Sequence, residues 1–338
     1  MIEEARVEET RASLRRVLDE RRTRLASWPT PVERLQRIER ARGFAGALYL
    51  KRDDAACFAF GGSKVREFEI LVAEARAANA DTLVAIGTTH SNCARITAAV
   101  AAKHGFRCSL VLSGPRPTRS SGNLLLCELL GAEIEYVASN ADRPAARKVL
   151  LDRLQRAGRR PFEIPLSAAT ARSALTMAEA VFEVVEQGVL PDVILVCSSS
   201  GATQAGLLLG CALAEMPTRV IGVSPDDPAA DVRERVGQWV DAMLPLLGLS
   251  RRALPPFDVT VDGEYASTSP LPLDQGAVKL FAETEGVLVD PMYTGKAAAA
   301  LLRAVEDGRF HSETVLFWHT GGQIGLFEPL PTGKVRNS

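Results

Sequence analysis

The stretch DTLVAIGTTHSNCARITAAVAAKHGFRCSLVLS, residues 81–113, decides the fold of this chain. Its two ends, DTLVAIGT (81–88) and RCSLVLS (107–113), are short apolar runs typical of buried strands, and residues 91–104 between them have helical spacing. Two strands joined through a helix pair in parallel, because the helix carries the chain back across the sheet. The stretch therefore predicts one β-α-β unit.

The same alternation continues in both directions from this unit. On the N-terminal side we predict a strand at LYLKRDD (48–54) and a helix over 64–78. On the C-terminal side we predict helices over 121–131, 172–187, 203–215, 228–246, 273–285 and 294–307, and strands over 132–137, 192–197, 219–224, 287–291 and 314–319. This order predicts an α/β fold of two doubly wound, three-layer α/β/α domains with mostly parallel sheets.

Composition narrows the class of protein. The 338 residues are 46% hydrophobic and 24% charged, which excludes a disordered or fibrous chain, and the net charge of -1 gives no general attraction to nucleic acid or to a membrane surface. The six cysteines contain no C-x-x-C pair, so we expect reduced thiols in the cytoplasm and no metal site. The charged start of the chain and the lack of a long apolar run lead us to expect neither a signal peptide nor a membrane span.

Residues 3–26 alternate acids and arginines at helical spacing, with a thin apolar stripe of Val7, Leu14, Leu18 and Leu25. The interleaved charges indicate a solvated helix rather than an anion-binding arm. We expect this helix to pack on the body of the protein or on a second subunit.

Ligands of open parallel sheets bind beyond the carboxyl ends of the strands, so the loops that follow strands are the candidate sites. In FGGSKVREFE (60–69), two glycines and Ser63 precede Lys64 at the start of a helix. The helix dipole disfavours a cation there, as a Schiff-base lysine requires. An ordinary surface lysine fits the same pattern.

In AIGTTHSNCAR (85–95), a strand ends where Ser91, Asn92 and Cys93 begin a helix. Free N–H groups at such an end suit a carboxylate or a phosphate, although Ser91 fits a plain helix cap equally well. His90 and Cys93 are too few ligands for a metal site.

The segment LVCSSSGATQAG (195–206) combines a strand, three serines and a helix start. Small residues and the hydroxyls of Ser199, Ser200 and Thr203 predict a phosphate cradle, into which a Cβ at Gly201 would intrude. The segment lacks the lysine of a Walker loop and the spacing of a dinucleotide loop, and a serine-rich capping turn is the alternative.

Two further segments follow predicted strands. DPMYTGKA (290–297) places Tyr293 at a helix start, and WHTGGQIGLF (318–327) places Thr320 before two glycines. Tyr265 lies in a loop that we expect to be free to close over the site. A tyrosine at a core edge and a threonine in a turn explain these residues singly, whereas all the segments together describe one pocket.

From about Pro31 to Leu326 these segments, in this order, resemble pyridoxal-phosphate enzymes of the tryptophan-synthase β-subunit fold (fold type II). The similarity is greatest to the group containing 1-aminocyclopropane-1-carboxylate deaminases and D-cysteine desulfhydrases. It rests on LYLKRDD, GGSKVRE, the Ser-Asn helix start, GATQAG, TEGVLVDPMYTGKA and HTGG.

The resemblance implies a role for each candidate residue around pyridoxal 5'-phosphate in a cleft between the domains. Lys64 would form the Schiff base, Asn92 would contact the ring hydroxyl and Thr320 would face the pyridine nitrogen. The phosphate would be held by Ser199, Ser200, Gly201, Ala202 and Thr203. The substrate carboxylate would be bound by Ser91 with the amides of Asn92 and Cys93. Tyr265 and Tyr293 would act over the reacting carbon. It further implies a homodimer, a larger cofactor-binding domain (1–63 and 173–338) and a smaller substrate-contacting domain (64–172).

Three departures bear on the substrate. The deaminases read Tyr-Glu-Gly-Lys where this chain has Tyr293-Thr294, and they lack its His-Thr-Gly-Gly, which disfavours opening of the cyclopropane. The desulfhydrases read His where this chain has Cys93. SAATARSALTMAEA (167–180) replaces a usual Gly-Tyr, so Arg172 could meet an acidic side chain of the substrate.

A neutral hydroxyl at the pyridine nitrogen leaves the ring a weaker electron sink, which favours prompt elimination. We therefore expect a lyase that eliminates the β-substituent of a small, possibly D- or β-substituted amino acid such as cysteine or cysteate, giving pyruvate and ammonia. The alternatives are the cyclopropane deaminase, a β-replacement synthase and a pyridoxal-phosphate-binding relative without turnover.

Overall fold

The structure is a computed structural model that describes residues 2–267 and 272–328. The helices of this part of the chain are α1 (Ile2–Asp19), α2 (Gln36–Arg42), α3 (Lys64–Ala77), α4 (Asn92–His104), α5 (Gly122–Leu129), α6 (Arg143–Arg156), α7 (Ala171–Glu186), α8 (Ala202–Leu213), α9 (Ala229–Met243), α10 (Pro272–Glu285) and α11 (Thr294–Glu306). The strands are β1 (Val32–Arg34), β2 (Ala47–Arg52), β3 (Thr82–Thr88), β4 (Arg107–Ser113), β5 (Glu133–Val137), β6 (Pro161–Glu163), β7 (Val193–Cys197), β8 (Arg219–Val223), β9 (Thr260–Asp262) and β10 (Thr314–His319).

The chain forms two compact units, of which the first consists of Met1–Ile70 and Ala169–Gln323. Its sheet has the order β1-β2-β10-β7-β8-β9, and every neighbouring pair is parallel except β1 with β2. Alternate residues of β7 point to opposite faces of the sheet: Ile194 and Val196 enter one apolar cluster, whereas Val193 and Leu195 enter the other. Helices cover both faces, which is the predicted three-layer arrangement.

The second unit consists of Leu71–Ala168 and the segment that begins at Ile324. Its sheet has the order β5-β4-β3-β6 and is parallel throughout. The units divide inside α3 and just before α7, a few residues from the predicted boundaries at 64 and 172. The segment from Ile324 groups with the second unit, whereas the sequence placed it in the larger domain. The α/β class with two mostly parallel sheets is confirmed.

The predicted strand 287–291 is wrong. Val287 and Val289 are buried as an apolar run should be, but the segment has no ladder partner among the described strands. Its backbone groups bond to side chains instead: the carbonyl of Leu288 faces Nε2 of His319, and the N–H of Asp290 donates to Oγ1 of Thr294 at 3.0 Å. The segment is therefore apolar and buried, but it does not pair with a strand.

The N-terminal helix ends at Asp19, earlier than the charge pattern suggested. Leu14 and Leu18 are fully buried in a core cluster of the first unit, which confirms packing on the body of the protein. In the described ranges, none of the helices combines the length and apolar character that crossing a membrane requires.

Candidate active site

Most candidate residues of the first unit follow strands that end at one edge of its sheet. Strands β2, β10, β7, β8 and β9 run parallel, so their carboxyl ends are aligned side by side, about 4.8 Å apart from strand to strand. Lys64 follows β2, Thr320 follows β10, the serine loop (residues 198–203) follows β7, and Tyr265 follows β9. Ser91, Asn92 and Cys93 follow β3 in the second unit.

The turn before Lys64 is in direct contact with the turn that contains Thr320. The N–H of Ser63 donates to the carbonyl of Thr320 at 3.0 Å. Gly62 has a φ of +106°, and a Cβ on it would lie 2.9 Å from that carbonyl oxygen; a Cβ on Gly321 would lie 2.7 Å from the Cα of Gly62. Both glycines are therefore needed for this approach, which brings the lysine at the start of α3 beside Thr320.

Lys64 has an acidic neighbour one helical turn along α3. Its Nζ lies 3.6 Å from Oε2 of Glu67, whose side chain is 2% exposed. Burial raises the pKa of Glu67 to about 7, although the charge of Lys64 opposes the shift. Oε2 has no hydrogen-bond partner in the described part of the chain.

The position of Thr320 is fixed by the histidine before it. The N–H of Gly321 donates to Nδ1 of the buried His319 at 3.2 Å, so Nε2 carries the hydrogen and donates to the carbonyl of Leu288 at 3.0 Å. A neutral imidazole thus bonds at both ends and holds the turn on which Thr320 lies.

Helix α9 holds the serine loop by its carbonyl groups. Arg235 donates to the carbonyl of Ser199 at 2.8 Å, and the indole N–H of Trp239 donates to the carbonyl of Ser200 at 3.0 Å. Helix α8 begins after Gly201 without a side-chain cap, and Oγ of the buried Ser198 has no partner among the described residues. Uncapped N–H groups and an unsatisfied hydroxyl at a helix start fit a phosphate group.

The serine loop differs from expectation at Gly201. Its φ of +83° confirms a need for glycine, but a Cβ would meet Val236 of α9 at 3.0 Å rather than enter the cradle. Ser199 Oγ donates to Asp226 at 3.2 Å. Burial is the largest cause that raises the pKa of the Asp226 carboxyl, and the neighbouring charge of Asp227 raises it further.

The two tyrosines differ in their surroundings. Tyr293 is 39% exposed and precedes the first residue of α11, where its N–H donates to the carboxylate of Asp290 at 2.8 Å. A Cβ on Gly322 would lie 2.6 Å from Asp290, so this turn abuts the one that contains Thr320. Tyr265 is instead buried, 4% exposed within an apolar cluster, and burial raises its pKa. Its ring is therefore not on a loop free to close.

In the second unit, Ser91 caps α4 by accepting the N–H of Ala94 at 3.2 Å. The side-chain oxygen of Asn92 accepts from Arg95 at 3.1 Å and from Asn123 at 3.3 Å, which leaves the amide nitrogen as its outward donor. Cys93 is buried. This orientation suits a donor to an oxygen of a ligand, as the resemblance implies for Asn92.

Arg172 lies in the first turn of α7 and contacts the N-terminal helix. One of its guanidinium N–H groups donates to the carbonyl of Val17 in α1, at 2.5 Å. This bond uses one of the five N–H donors of the guanidinium, and the role of Arg172 toward an acidic substrate stays a prediction.

Sequence reasoning missed Glu67, Arg235 and Trp239. Glu67 had a usable signal, because residues three apart on a helix face each other and Lys64 was already singled out. Arg235 and Trp239 had none, since they are more than thirty residues from the loop that they hold.

Comparison with known proteins adds independent findings. Residues 23–321 match the family described as "Pyridoxal-phosphate dependent enzyme". The D-cysteine desulfhydrases of Salmonella choleraesuis and Salmonella typhi are each 37% identical to this chain over 318 residues, covering 90% of it and 95% of their own length. A crystal structure described as an ACC deaminase homologue superposes with a TM-score of 0.85 at 30% identity, covering 93% of this chain and 96% of its own.

Proposed function

This chain belongs to the pyridoxal-phosphate dependent enzyme family, and from that membership we propose that it is a lyase for a small amino acid related to cysteine. It would remove the β-substituent of the substrate. The organic products would be pyruvate and ammonia.

One observation carries this proposal. The lysine at the start of α3 adjoins Thr320, and the serine loop follows the strand next to the one that ends before Thr320. A single sheet edge therefore offers a primary amine, a neutral hydroxyl and an uncapped helix start. These are the groups needed by the aldehyde, the ring nitrogen and the phosphate of pyridoxal 5'-phosphate.

When bound, pyridoxal phosphate supplies the electron withdrawal that makes the Cα proton of an amino acid acidic. The chain's own residues bind, orient and move protons. The serine loop and the N–H groups of α8 bind the phosphate, Asn92 donates to the ring hydroxyl, and Thr320 bonds the ring nitrogen without adding charge. Lys64 accepts the Cα proton, and Ser91 with the amides of Asn92 and Cys93 binds the substrate carboxylate.

The overall reaction balances without an oxidant. Loss of the Cα proton and of the β-substituent as HX gives aminoacrylate, and one water converts aminoacrylate to pyruvate and ammonia. With cysteine the leaving group is hydrogen sulfide. We favour a thiol over a sulfonate, because the relatives that are 37% identical to this chain are D-cysteine desulfhydrases.

The second candidate is opening of 1-aminocyclopropane-1-carboxylate, which the structural similarity to an ACC deaminase homologue favours. Against it stands Thr294, which is fully buried and donates its hydroxyl to Asp290 at 2.7 Å. This position offers no carboxylate to a substrate. The cyclopropane amino acid therefore belongs in the substrate screen as a competitor of the thiol substrates.

The test begins with the cofactor. Purified protein supplied with pyridoxal phosphate should absorb in the visible range, and borohydride reduction followed by peptide mapping should place the pyridoxyl group on Lys64. A label on Lys51 or Lys296 would contradict the assignment. Both of these lysines are fully buried, so a label on either of them could not be explained by reaction at the protein surface.

The substrate is then identified by a pyruvate assay over the D- and L-forms of cysteine, cysteate, serine and chloroalanine, with the cyclopropane amino acid included. We expect the highest kcat/KM with one enantiomer of cysteine. A spectral change without pyruvate from any compound would instead indicate a binding protein without turnover.

We further infer a reducing compartment such as the cytoplasm and a homodimer. Cys57 is exposed, and an exposed thiol persists best where thiols are kept reduced. Sedimentation of the purified protein tests the dimer, and fractionation of the source cells tests the compartment.

A further inference from the structure

Glu67 has no part in the function proposed above, although its carboxylate lies close to the nitrogen of Lys64. The two residues are three apart on α3 and therefore share one face of the helix. Their charged atoms are 3.6 Å apart, within ion-pair range but beyond hydrogen-bond length. The lysine side chain is 28% exposed and the glutamate side chain only 2%.

The other charged groups of this region are occupied elsewhere. Arg66 binds Asp53 and Glu183, and Glu69 binds Arg22 and the indole of Trp28. Among the residues that the structure describes, Lys64 is the charged group that acts on the ionisation of Glu67. The carboxylate therefore depends on one cation for its charge balance.

A buried carboxylate with an oxygen lacking a hydrogen bond is costly unless a cation faces it. The nitrogen of Lys64 does not keep one charge state throughout a reaction that uses it as a base. It is an ammonium after accepting a proton and a neutral amine before. Each change at Lys64 alters the cost of ionising Glu67.

We propose that Glu67 is a positioning residue for Lys64, which pairs as a carboxylate with the charged nitrogen and takes up a proton when that nitrogen is neutral. The protons balance with water as the exchange partner: when the amine of Lys64 takes up a proton from the substrate, the carboxylic acid of Glu67 releases its own to water, and it takes one back when the nitrogen is neutral again. Burial raises the pKa of Glu67 to about 7, so both forms are accessible near neutrality. This inference rests on the proposed function, because it takes Lys64 as the residue that carries the cofactor.

The test is a pH titration of the visible absorbance of the resting holoenzyme, without substrate. The absorbance reports whether the nitrogen that links Lys64 to the cofactor is protonated. An ionised neighbour at this distance shifts such an equilibrium by about one pH unit or more. Glu67→Gln removes the charge at nearly constant volume, so the titration midpoint should fall by about one unit.

Glu74→Gln is the matched control. It removes a half-buried carboxylate ten residues along the same helix, about 15 Å from Lys64 along the axis, which exceeds the Debye length of about 8–10 Å. Its midpoint should equal that of the unmodified protein. Glu67→Asp keeps the charge but withdraws it by one methylene, so its midpoint should fall by less than that of Glu67→Gln.

The outcomes separate the two proposals. A Glu67→Gln holoenzyme that is labelled on Lys64 by borohydride and titrates like the unmodified protein overturns the role of Glu67 alone. A label on another lysine overturns both proposals. If Glu67→Gln does not load cofactor, Glu67→Asp decides: a lowered midpoint supports the role, and an unchanged one overturns it.

Discussion

Tyr293 and Tyr265 carry the same phenol in unlike surroundings, so one substitution separates chemistry from packing. Tyr293 is part-exposed at a helix start, whereas Tyr265 is buried. A general acid contributes about 10²–10⁴ in rate. We expect Tyr293→Phe to lower kcat by that factor with an unchanged cofactor spectrum, and Tyr265→Phe to have a milder effect. Steady-state kinetics on the preferred substrate measure both. Near-native turnover of Tyr293→Phe would mean that its ring only packs, and that Ser91 or Lys64 carries the proton transfers.

How far single residues could be predicted depends on where their partners lie in the chain. Lys64, Ser91 and the serine loop were identified because each is defined by a strand end and a helix start within a few residues. The burial of Tyr265 and the direction of a Cβ at Gly201 could not be predicted from the sequence, because both depend on packing against segments that are distant in the chain. The roles assigned to the site residues stay predictions until the labelling and kinetic tests are made.

Helix α9 holds the serine loop by hydrogen bonds, and removing one of these bonds measures how much α9 contributes to cofactor binding. Trp239→Phe removes the indole N–H that the carbonyl of Ser200 accepts. Such a bond is worth about 0.5–1.5 kcal/mol, so the Kd for pyridoxal phosphate should rise about 2–10-fold, with kcat of the loaded enzyme nearly unchanged. Cofactor titration of the resolved protein gives the Kd.

Trp28→Phe serves as the control for α9. It removes the same kind of donor, the indole N–H that binds Glu69 at 2.8 Å, away from the serine loop. We expect it to lower stability without raising the Kd for the cofactor. Equal effects of the two substitutions on the Kd would argue that α9 does not hold the loop.

Apart from α1 and α6, the long helices and the strands flanked by turns were predicted to within a few residues, because each buries a face that a period of 3.6 or 2 reveals. The three-residue strands β1, β6 and β9 were missed, as so few residues show no period. Helix α6 was missed because its apolar stripe is thin. The segment 287–291 was misassigned because its carbonyl and N–H groups bond to the side chains of His319 and Thr294, which hydropathy does not reveal.

Across the first unit, a buried ion network joins segments that are far apart in the chain. Arg66 is fully buried, donates pairs of hydrogen bonds to Asp53 and Glu183, and lies 3.8 Å above the ring of Trp28. Arg66→Met would remove the cation that the two buried carboxylates share and leave only Lys51, 3.1 Å from Glu183, beside them, so stability at neutral pH should fall by up to about 3–5 kcal/mol. Thermal unfolding measures the loss. Arg76→Met, an exposed position on the same helix, should change stability by no more than about 0.5 kcal/mol.

The same network has a defined pH dependence. Burial favours protonation of Asp53, but the charge and hydrogen bonds of Arg66 outweigh it and lower the pKa of that carboxyl. A depressed carboxyl pKa contributes stability that is present above the unfolded value of about 4 and is lost as the pH falls through the folded value. The deficit of Arg66→Met should therefore shrink as the pH falls: the carboxylates that the variant leaves buried take up protons first, and below about pH 4 the unmodified protein loses the contribution of Asp53. A deficit independent of pH would contradict this account.

The sheet of the first unit joins β2, near the start of the chain, to β10, near its end. At roughly 5–20 residues per second, a ribosome needs on the order of tens of seconds to make the residues between these strands. The four consecutive strands of the second unit, and therefore its sheet, are made long before that. The contact between the turns of Lys64 and Thr320 is thus among the last to form on a nascent chain. Cofactor loading must follow synthesis, and a chain that ends before Thr314 can neither close this sheet nor hold the cofactor.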